Sequence, residues 1–472
     1  YYCLANIKIG EFMMRFVSKG ILLYLVLISF YLYPNSYEAS ASGMSYERLQ
    51  KIAPTLNELY LKTGKFQCII YAVARKGKLF HYETLGFADI ETGESLKRDS
   101  LFRIYSMSKP ITGVALMILL EEGKVRLNDP VSLYIPEFGE TKVLVLKDDG
   151  NSELVDQKKK MTIRDLATHT SGLAYDFTAN KELAKIYREN NLSPYFSISN
   201  ITKENLASGM INAEKPYDDI CDFAETLATK APLMHQPSEN YTYSVGMDVL
   251  GCVIERASGI RFDQFLEQKI FKPLNMNDTF FTVPESKKDR FTSLYAEIKD
   301  LRRFFPELDQ SLPKDLTMLR VDTKKMSPYF QEATVFDGGS GLVSSTEDYL
   351  KFAQMLLNGG VLGDQRIISR KSVELMSGNH LPDSFSSDAY LETAGGYRRG
   401  AGIGLTVGVL TDPAKAGQYG SKGLFFWGGA ASTIFWIDPE EDLVAVLMTQ
   451  VLGSSERLRE TYSALVYQAI DD

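Results

Sequence analysis

The sequence predicts an α/β chain of the α+β kind: an antiparallel sheet built from both chain ends, flanked by helices, with an inserted, mainly helical lobe. Three observations predict it. Strand patterns cluster near the start, at Cys68 to Ala74 and Leu79 to Leu85, and return near the end, between Ile403 and Met448. Between about residues 126 and 335 strand signals thin out, while helix signals and long polar connections dominate. A chain of 472 residues with 44% hydrophobic and 11% aromatic residues is ordinary for a packed globular protein but long for one domain, so two lobes are expected.

Taken in order, residues 1–41 are read as a leader and signal peptide. Met13 and Met14 offer starts, Arg15 and Lys19 a basic flank, Ile21 to Tyr33 a short apolar core and Ala39-Ser40-Ala41 a small-residue cleavage site. An apolar run this short does not span a bilayer comfortably. The chain is therefore expected to be exported, periplasmic or secreted, with no stable membrane insertion after cleavage; an uncleaved N-terminal membrane anchor is the alternative.

From Ser45, the apolar positions Leu49, Ile52, Leu56 and Leu59 recur at intervals of three and four, which predicts an amphipathic helix before Gly64. The first two strands flank Arg75-Lys76-Gly77-Lys78, with a glycine where a hairpin turn requires one. Ile111 to Leu120 is apolar all round, as a buried helix is, and the helix from Ser106 should end near Gly123. These elements form an α/β domain from 42–125 plus 336–472, with 126–335 as the helical lobe.

Within the lobe, Thr162-Ile163-Arg164-Asp165 offers a helix cap with an acidic residue three on, followed by the turn His169-Thr170-Ser171-Gly172. His169 reads there as a turn-stabilising hydrogen bonder. Val245 to Ser258 and Phe262 to Phe271 read as helices separated at Gly259. Residues 176–232 and 285–330 are poor in periodicity, and such long excursions are expected to line a cleft. After Gly338 to Leu342 come the helix Asp348 to Leu357 and the candidate strands Ile403 to Leu410, Leu424 to Trp427, Ala431 to Ile437 and Leu443 to Met448. A last helix covers Ser454 to Ile470.

Composition excludes several function classes. A formal charge of −8 with interspersed signs argues against nucleic acid as a partner, and Lys158-Lys159-Lys160 reads as a solvated loop face. Cys3, Cys68, Cys221 and Cys252 show no C-x-x-C spacing; Cys68 and Cys252 lie in apolar runs that read as buried thiols, and a pairing of Cys221 stays open. His81, His169, His235 and His380 form no metal-ligand pattern, so neither a metal nor another cofactor is implied. Nothing in the sequence bears on oligomeric state.

Chemistry concentrates in Phe102-Arg103-Ile104-Tyr105-Ser106-Met107-Ser108-Lys109-Pro110. Ser106 and Lys109 stand three apart at a helix start, so a hydroxyl and an amine rise from one face. A serine hydroxyl needs a neighbouring base before it attacks a carbonyl, and a lysine serves as one only in its uncharged form, which burial favours. Ser311-Leu312-Pro313-Lys314 repeats the spacing in a Pro-broken loop, so context must separate the two.

That context is a resemblance to the serine β-lactamase and penicillin-binding-protein superfamily, with the closest likeness to carboxylesterases of the class C β-lactamase fold. It covers roughly residues 50 to 470. It rests on Ser106 to Lys109, on Thr162 to Leu173, on Tyr241-Thr242-Tyr243-Ser244, on Gly338 to Ser345, and on Trp427-Gly428-Gly429-Ala430 ahead of Phe435 to Pro439. The resemblance implies a β-lactamase/transpeptidase-like fold and an acyl-enzyme mechanism. Ser106 would be the acylated nucleophile, Lys109 its base, and Tyr243 a phenol relaying the proton to the leaving group. The backbone N–H groups of Ser106 and Ala430 would form the oxyanion hole, with Gly428 and Gly429 leaving the strand edge open to substrate.

Two departures from the family pattern bear on substrate. Val245 stands where β-lactamases carry an asparagine, and Trp427 stands where they carry a lysine that meets the substrate carboxylate. Apolar groups at both substrate-facing places fit neutral carboxylic esters of short to medium acyl chain better than β-lactams. A β-lactamase or a D-amino-acid-specific peptidase of the same fold, or a non-catalytic ligand-binding domain, are the alternatives. An α/β-hydrolase esterase would need a G-x-S-x-G elbow, and no serine here stands in one. Lys62-Thr63-Gly64 spells the family's third motif but precedes the nucleophile, and reads as a helix end.

Overall fold

The computed structural model describes residues 43–147, 150–192, 217–299, 317–322, 327–381, 385, 400–454 and 456–472. The leader and signal-peptide reading of 1–41, Cys3 and the Ser311 to Lys314 tetrapeptide lie outside these residues. An eight-stranded antiparallel sheet organises the chain, in the order Ala401–Ile403, Gly408–Leu410, Phe425–Gly428, Ile434–Asp438, Leu443–Met448, Cys68–Arg75, Lys78–Asp89, Glu94–Ser95. Both chain ends meet at its centre, where Ile70 pairs with Met448 and Arg75 with Leu443. The expected antiparallel sheet from both termini is what forms.

The hairpin between the first two strands turns at Lys76 (φ 51°) and Gly77 (φ 70°). Two consecutive left-handed residues match the right-handed twist of the flanking strands. Adjacent strand residues point to opposite faces, and Phe435 and Trp436 show what covers each. The Phe435 ring meets Tyr349 of the helix Thr346–Leu357 at 5.0 Å, whereas Trp436 meets Tyr462 of the helix Leu458–Tyr467 at 5.2 Å. Cys68–Arg75 is consequently buried along its whole length.

Several elements differ from expectation. The strand expected over Ile403 to Leu410 is two short strands, because Gly404 to Val407 form a tight turn with Thr406 left-handed at φ 67°. The segment 126–335 contains a hairpin of Val143–Leu146 with Ser152–Val155. It also contains the pair Leu294–Glu297 and Met318–Asp322, which takes Val451–Leu452 as a third strand. Strands this short carry too little alternation to read from sequence. Helices Lys181–Glu189 and Ile220–Lys230, capped by Asn180 and Asp219, lie in the stretch 176–232 that is poor in periodicity.

The helix expected from Val245 runs over Gly246–Ser258 and ends at left-handed Gly259. Cys252 on it is not a thiol: it is bonded to Cys221 on the neighbouring helix Ile220–Lys230, with Cα atoms 4.9 Å apart. Cys68 is a free, buried cysteine whose thiol burial pushes up to about 12. Lys62 to Gly64 do mark a helix end, with Gly64 left-handed.

Candidate active site

Local structure places Ser106 with unusual constraint. The short strand Leu101–Arg103 pairs with Val343–Ser345, and the Ile104 N–H donates to the Leu342 carbonyl at 3.1 Å. Upstream, the fully buried Arg103 guanidinium is held by Asp322, by the Thr292 carbonyl at 2.7 Å and by the Phe291 ring at 4.0 Å. The chain then passes through Tyr105 at φ 42°, a left-handed value costly for a non-glycine residue, and enters the 3-10 turn Tyr105–Met107 and the helix Ser108–Glu121. Strained backbone beside a reactive group is a recurring mark of functional sites.

The three residues expected to act together do meet. Ser106 Oγ lies 2.7 Å from Tyr243 Oη, and Lys109 Nζ donates to Ser106 Oγ at 3.2 Å. Lys109 is fully buried, while Ser106 and Tyr243 are partly exposed, so the hydroxyl faces the cleft and the amine stays behind it. Lys109 Nζ also donates to Tyr175 Oη at 3.2 Å and to the Gly339 carbonyl at 2.8 Å, and sits 4.8 Å from the centre of the Tyr243 ring.

Sequence reasoning missed Tyr175, Gly339, Asp248 and Asp337. The Gly339 peptide is gripped from both ends: its carbonyl takes the Lys109 amine, and its N–H donates to Asp248 at 3.0 Å and Asp337 at 2.7 Å. A Cβ on Gly339 would lie 2.8 Å from Asp248 Oδ2, and one on Gly338 would lie 2.6 Å from the Met247 carbonyl, so the glycines allow the close approach. Burial, and then the neighbouring Asp337, push the Asp248 carboxyl well above the usual carboxylate range. Burial, followed by Asp248, pushes the Tyr175 phenol well above its ordinary value, so it stays neutral. The signal for Tyr175 was its place just past the Thr162 to Leu173 motif.

That motif sets Tyr243 in place. Thr162 and Asp165 form the expected capping box. His169, fully buried and left-handed at φ 58°, accepts the Ser244 N–H at its Nδ1 (3.2 Å), and its carbonyl accepts the Thr242 N–H at 2.9 Å. Its ring packs 4.7 Å from Tyr243 and stacks on Trp427 at 6.3 Å. Burial holds His169 well below its ordinary value, so it is a neutral brace behind the phenol. His235 and His380 bond elsewhere, to Thr242 and Arg164.

The third motif closes the site from the sheet side. The strand Phe425–Gly428 ends against the turn that carries Ser106, and a Cβ on Gly429 would collide with the Ile104 carbonyl. The Gly429 carbonyl accepts the Ser432 N–H at 3.0 Å, which fixes the peptide whose N–H, on Ala430, was expected in the oxyanion hole, and the peptides on either side are held by Gly429 N–H to the Thr433 carbonyl at 2.8 Å and Gly453 N–H to the Ala430 carbonyl at 3.0 Å. Gly428, Gly429 and Ala430 are partly exposed. Trp427 is nearly buried at 5%, so it backs the cleft with Tyr243 and His169 more than it lines it. Val245 corrects an expectation. It is fully buried, turned into the core at the start of its helix, and offers no surface to a substrate.

Comparisons with known proteins give the family of the chain. The sequence model of the Beta-lactamase family matches residues 55–468. Protein Rv1367c of Mycobacterium tuberculosis is 31% identical over 392 residues, covering 82% of this chain and 86% of its own. Esterase EstB of Burkholderia gladioli is 28% identical over 384 residues, covering 80% and 84%. Among solved structures, EstCE1, described as a hydrolase with promiscuous acyltransferase activity, superposes with a TM-score of 0.68 at 23% identity over 89% of this chain and 99% of its own, a likeness of fold.

Proposed function

Because this chain belongs to the Beta-lactamase family, we propose that it is a serine hydrolase, and more narrowly a carboxylesterase that forms an acyl-enzyme on Ser106. One observation carries the reading: the Ser106 hydroxyl is within hydrogen-bond reach of both the Tyr243 phenol and the Lys109 amine. A hydroxyl so placed can give up its proton as it attacks.

In the proposed cycle Lys109 acts as the uncharged amine: Ser106 Oγ bonds to the ester carbonyl carbon while its proton passes to Lys109 Nζ, which hands a proton on to Tyr243 as the phenol gives up its own. The carbonyl oxygen becomes an oxyanion held by the N–H groups of Ser106 and Ala430. Collapse breaks the ester C–O bond, and Tyr243 returns the proton to the departing alcohol. Water then attacks the acyl-enzyme by the same steps in reverse and releases the acid. The Gly339 carbonyl and Tyr175 keep the amine aimed at Ser106 throughout.

Neutral esters fit a cleft where the partly exposed Tyr243 ring stands beside Ser106, backed by the buried rings of Tyr175 and Trp427. Esterase EstB and EstCE1 support the same reading by their descriptions. The EstCE1 description also favours a second outcome, capture of the acyl group by an alcohol in place of water. Export is likewise proposed: the Cys221–Cys252 disulfide suits an oxidising compartment. Among the described residues, no helix is long and apolar enough to cross a membrane.

The test is hydrolysis of short p-nitrophenyl esters by the wild type and Ser106→Ala, beside a chromogenic cephalosporin. Ester turnover lost in Ser106→Ala supports the reading. Faster turnover of the cephalosporin than of every ester would make the chain a β-lactamase instead, and no turnover of either would remove the enzyme reading.

A further inference from the structure

Two carboxyl groups lie behind Lys109 and take no step in the proposed cycle. Asp337, just before the turn Gly338 to Ser340, and Asp248, in the helix Gly246–Ser258, are both fully buried. Their Oδ1 atoms accept the same N–H, that of Gly339, at 2.7 and 3.0 Å. Asp337 is furnished as an anion: its oxygens also accept the Ser340 N–H at 2.7 Å and the Ser340 hydroxyl. Asp248 is not, since its Oδ2 is buried without a donor. A bare carboxylate oxygen in such a place is costly, and two carboxylates that share one donor cannot both be ionised.

One peptide group links the pair to the amine. The Ser340 N–H donates to Asp337, and the carbonyl of that same peptide, on Gly339, accepts the Lys109 amine at 2.8 Å. A carboxylate at one end of a peptide polarises it and makes its oxygen a better acceptor for a cation at the other. The other titratable groups that face the pair and the amine are Tyr175, Tyr243, Tyr329 and His169. Burial keeps Tyr175, Tyr329 and His169 neutral, and Lys109 is the cation that acts on Asp248.

We infer that Asp248 and Asp337 share one proton, and that the single negative charge left to them is the counter-charge of the ammonium that Lys109 becomes on taking the Ser106 proton. The counter-charge rests on the acyl transfer proposed above; the shared proton does not. Two charges here would hold the lysine as an ammonium before it could act, and none would leave that ammonium alone in a buried place. The shared proton stays on the pair throughout the cycle. Replacing one aspartate by asparagine therefore removes the proton and leaves one charge, whereas replacing both removes the charge.

Stability reads the proton. The folded wild type keeps it where the unfolded chain, with an aspartate value of about 3.9, has released it, so its contribution is full below about pH 4 and is lost as pH rises toward the raised folded value. From about pH 5 to pH 7, urea titrations should shift the ratio of unfolding constants in favour of Asp248→Asn over the wild type by up to about ten-fold per pH unit, and Asp337→Asn serves in its place if that variant does not fold. His169 titrates in both proteins and cancels. A ratio that stays level with pH overturns the shared proton.

The pH dependence of kcat/KM on a p-nitrophenyl ester reads the charge. Whatever the height of each curve, its acid limb should stand in either single variant where the wild type has it. In the double variant it should move to lower pH by about one unit or more, since an amine without its counter-charge releases its proton more readily. A limb that stays in the double variant, or moves as far in either single one, overturns the counter-charge. No ester turnover by the wild type would remove the counter-charge along with the function it serves, while the stability comparison decides the shared proton by itself.

Discussion

Lys109 Nζ lies closer to the carbonyl oxygen of Gly339, at 2.8 Å, than to the hydroxyl it would activate, at 3.2 Å. The lysine is thus positioned by a peptide group, and that peptide is in turn anchored by Asp248 and Asp337. Gly339→Ala should test this. The added Cβ would sit 2.8 Å from Asp248 Oδ2, so the peptide must shift and carry the amine with it. We expect kcat to fall by at least about ten-fold with KM little changed, and a stability loss of about 1–3 kcal/mol measured by urea titration. Unaltered kcat in a folded variant would show that the carbonyl does not position the base.

Removing the acting groups should give a graded series. Ser106→Ala should abolish acyl-enzyme formation, seen as loss of the added mass after reaction with a serine-directed phosphonate. Lys109→Ala and Tyr243→Phe should each lower kcat/KM by between about 100-fold and 10,000-fold on p-nitrophenyl esters, the range of general acid–base assistance. Near-normal rates in Tyr243→Phe would remove the proton relay from the mechanism.

His169 makes a pH prediction. Its folded value is depressed by burial, so the unfolded chain takes up a proton, near pH 6.5, that the folded chain refuses. The stability it contributes is present above that pH and is lost as pH falls further. His169→Asn keeps an acceptor for the Ser244 N–H and tolerates the left-handed backbone, but does not titrate. The stability difference between wild type and variant should therefore shrink, or change sign in favour of the variant, between about pH 7 and pH 5, as followed by thermal melts. A pH-independent difference would mean that His169 takes up its proton at the same pH in the folded and the unfolded chain.

The disulfide sets a fourth expectation. Cys221 and Cys252 are 31 residues apart and tie the helix Gly246–Ser258, which follows Tyr243, to its neighbour. Breaking a loop of that size should cost about 4 kcal/mol. Cys252→Ser with Cys221→Ser should show this in guanidinium unfolding, and a reducing agent should bring the wild type to the same midpoint. Equal midpoints for the wild type under oxidising and reducing conditions would show that the bond does not form.

What the sequence revealed, and what it hid, follows from range. Ser106 and Lys109 were legible because three residues of helix place them together, and the hairpin at Lys76 and Gly77 because the turn itself dictates its residues. Tyr243 was visible only through resemblance, since nothing local marks one tyrosine among many. Asp248, Asp337, Gly339 and Tyr175 were hidden because each acquires its role from an approach between distant segments. Val245 shows the opposite failure. Standing beside the motif says nothing of direction, and the helix start at Gly246 turns its side chain into the core.

The pairing of Ile70 with Met448 has a consequence for how the molecule comes into being. A ribosome making about 5–20 residues per second completes the first of these strands roughly 20 to 75 seconds before the last, and until then the earlier one has no neighbour on that edge. Its apolar sequence, Cys68 to Ala74, is what aggregates if left exposed. A newborn chain therefore needs an escort or a channel through that interval, and no fragment ending short of the final strands should reach the native state.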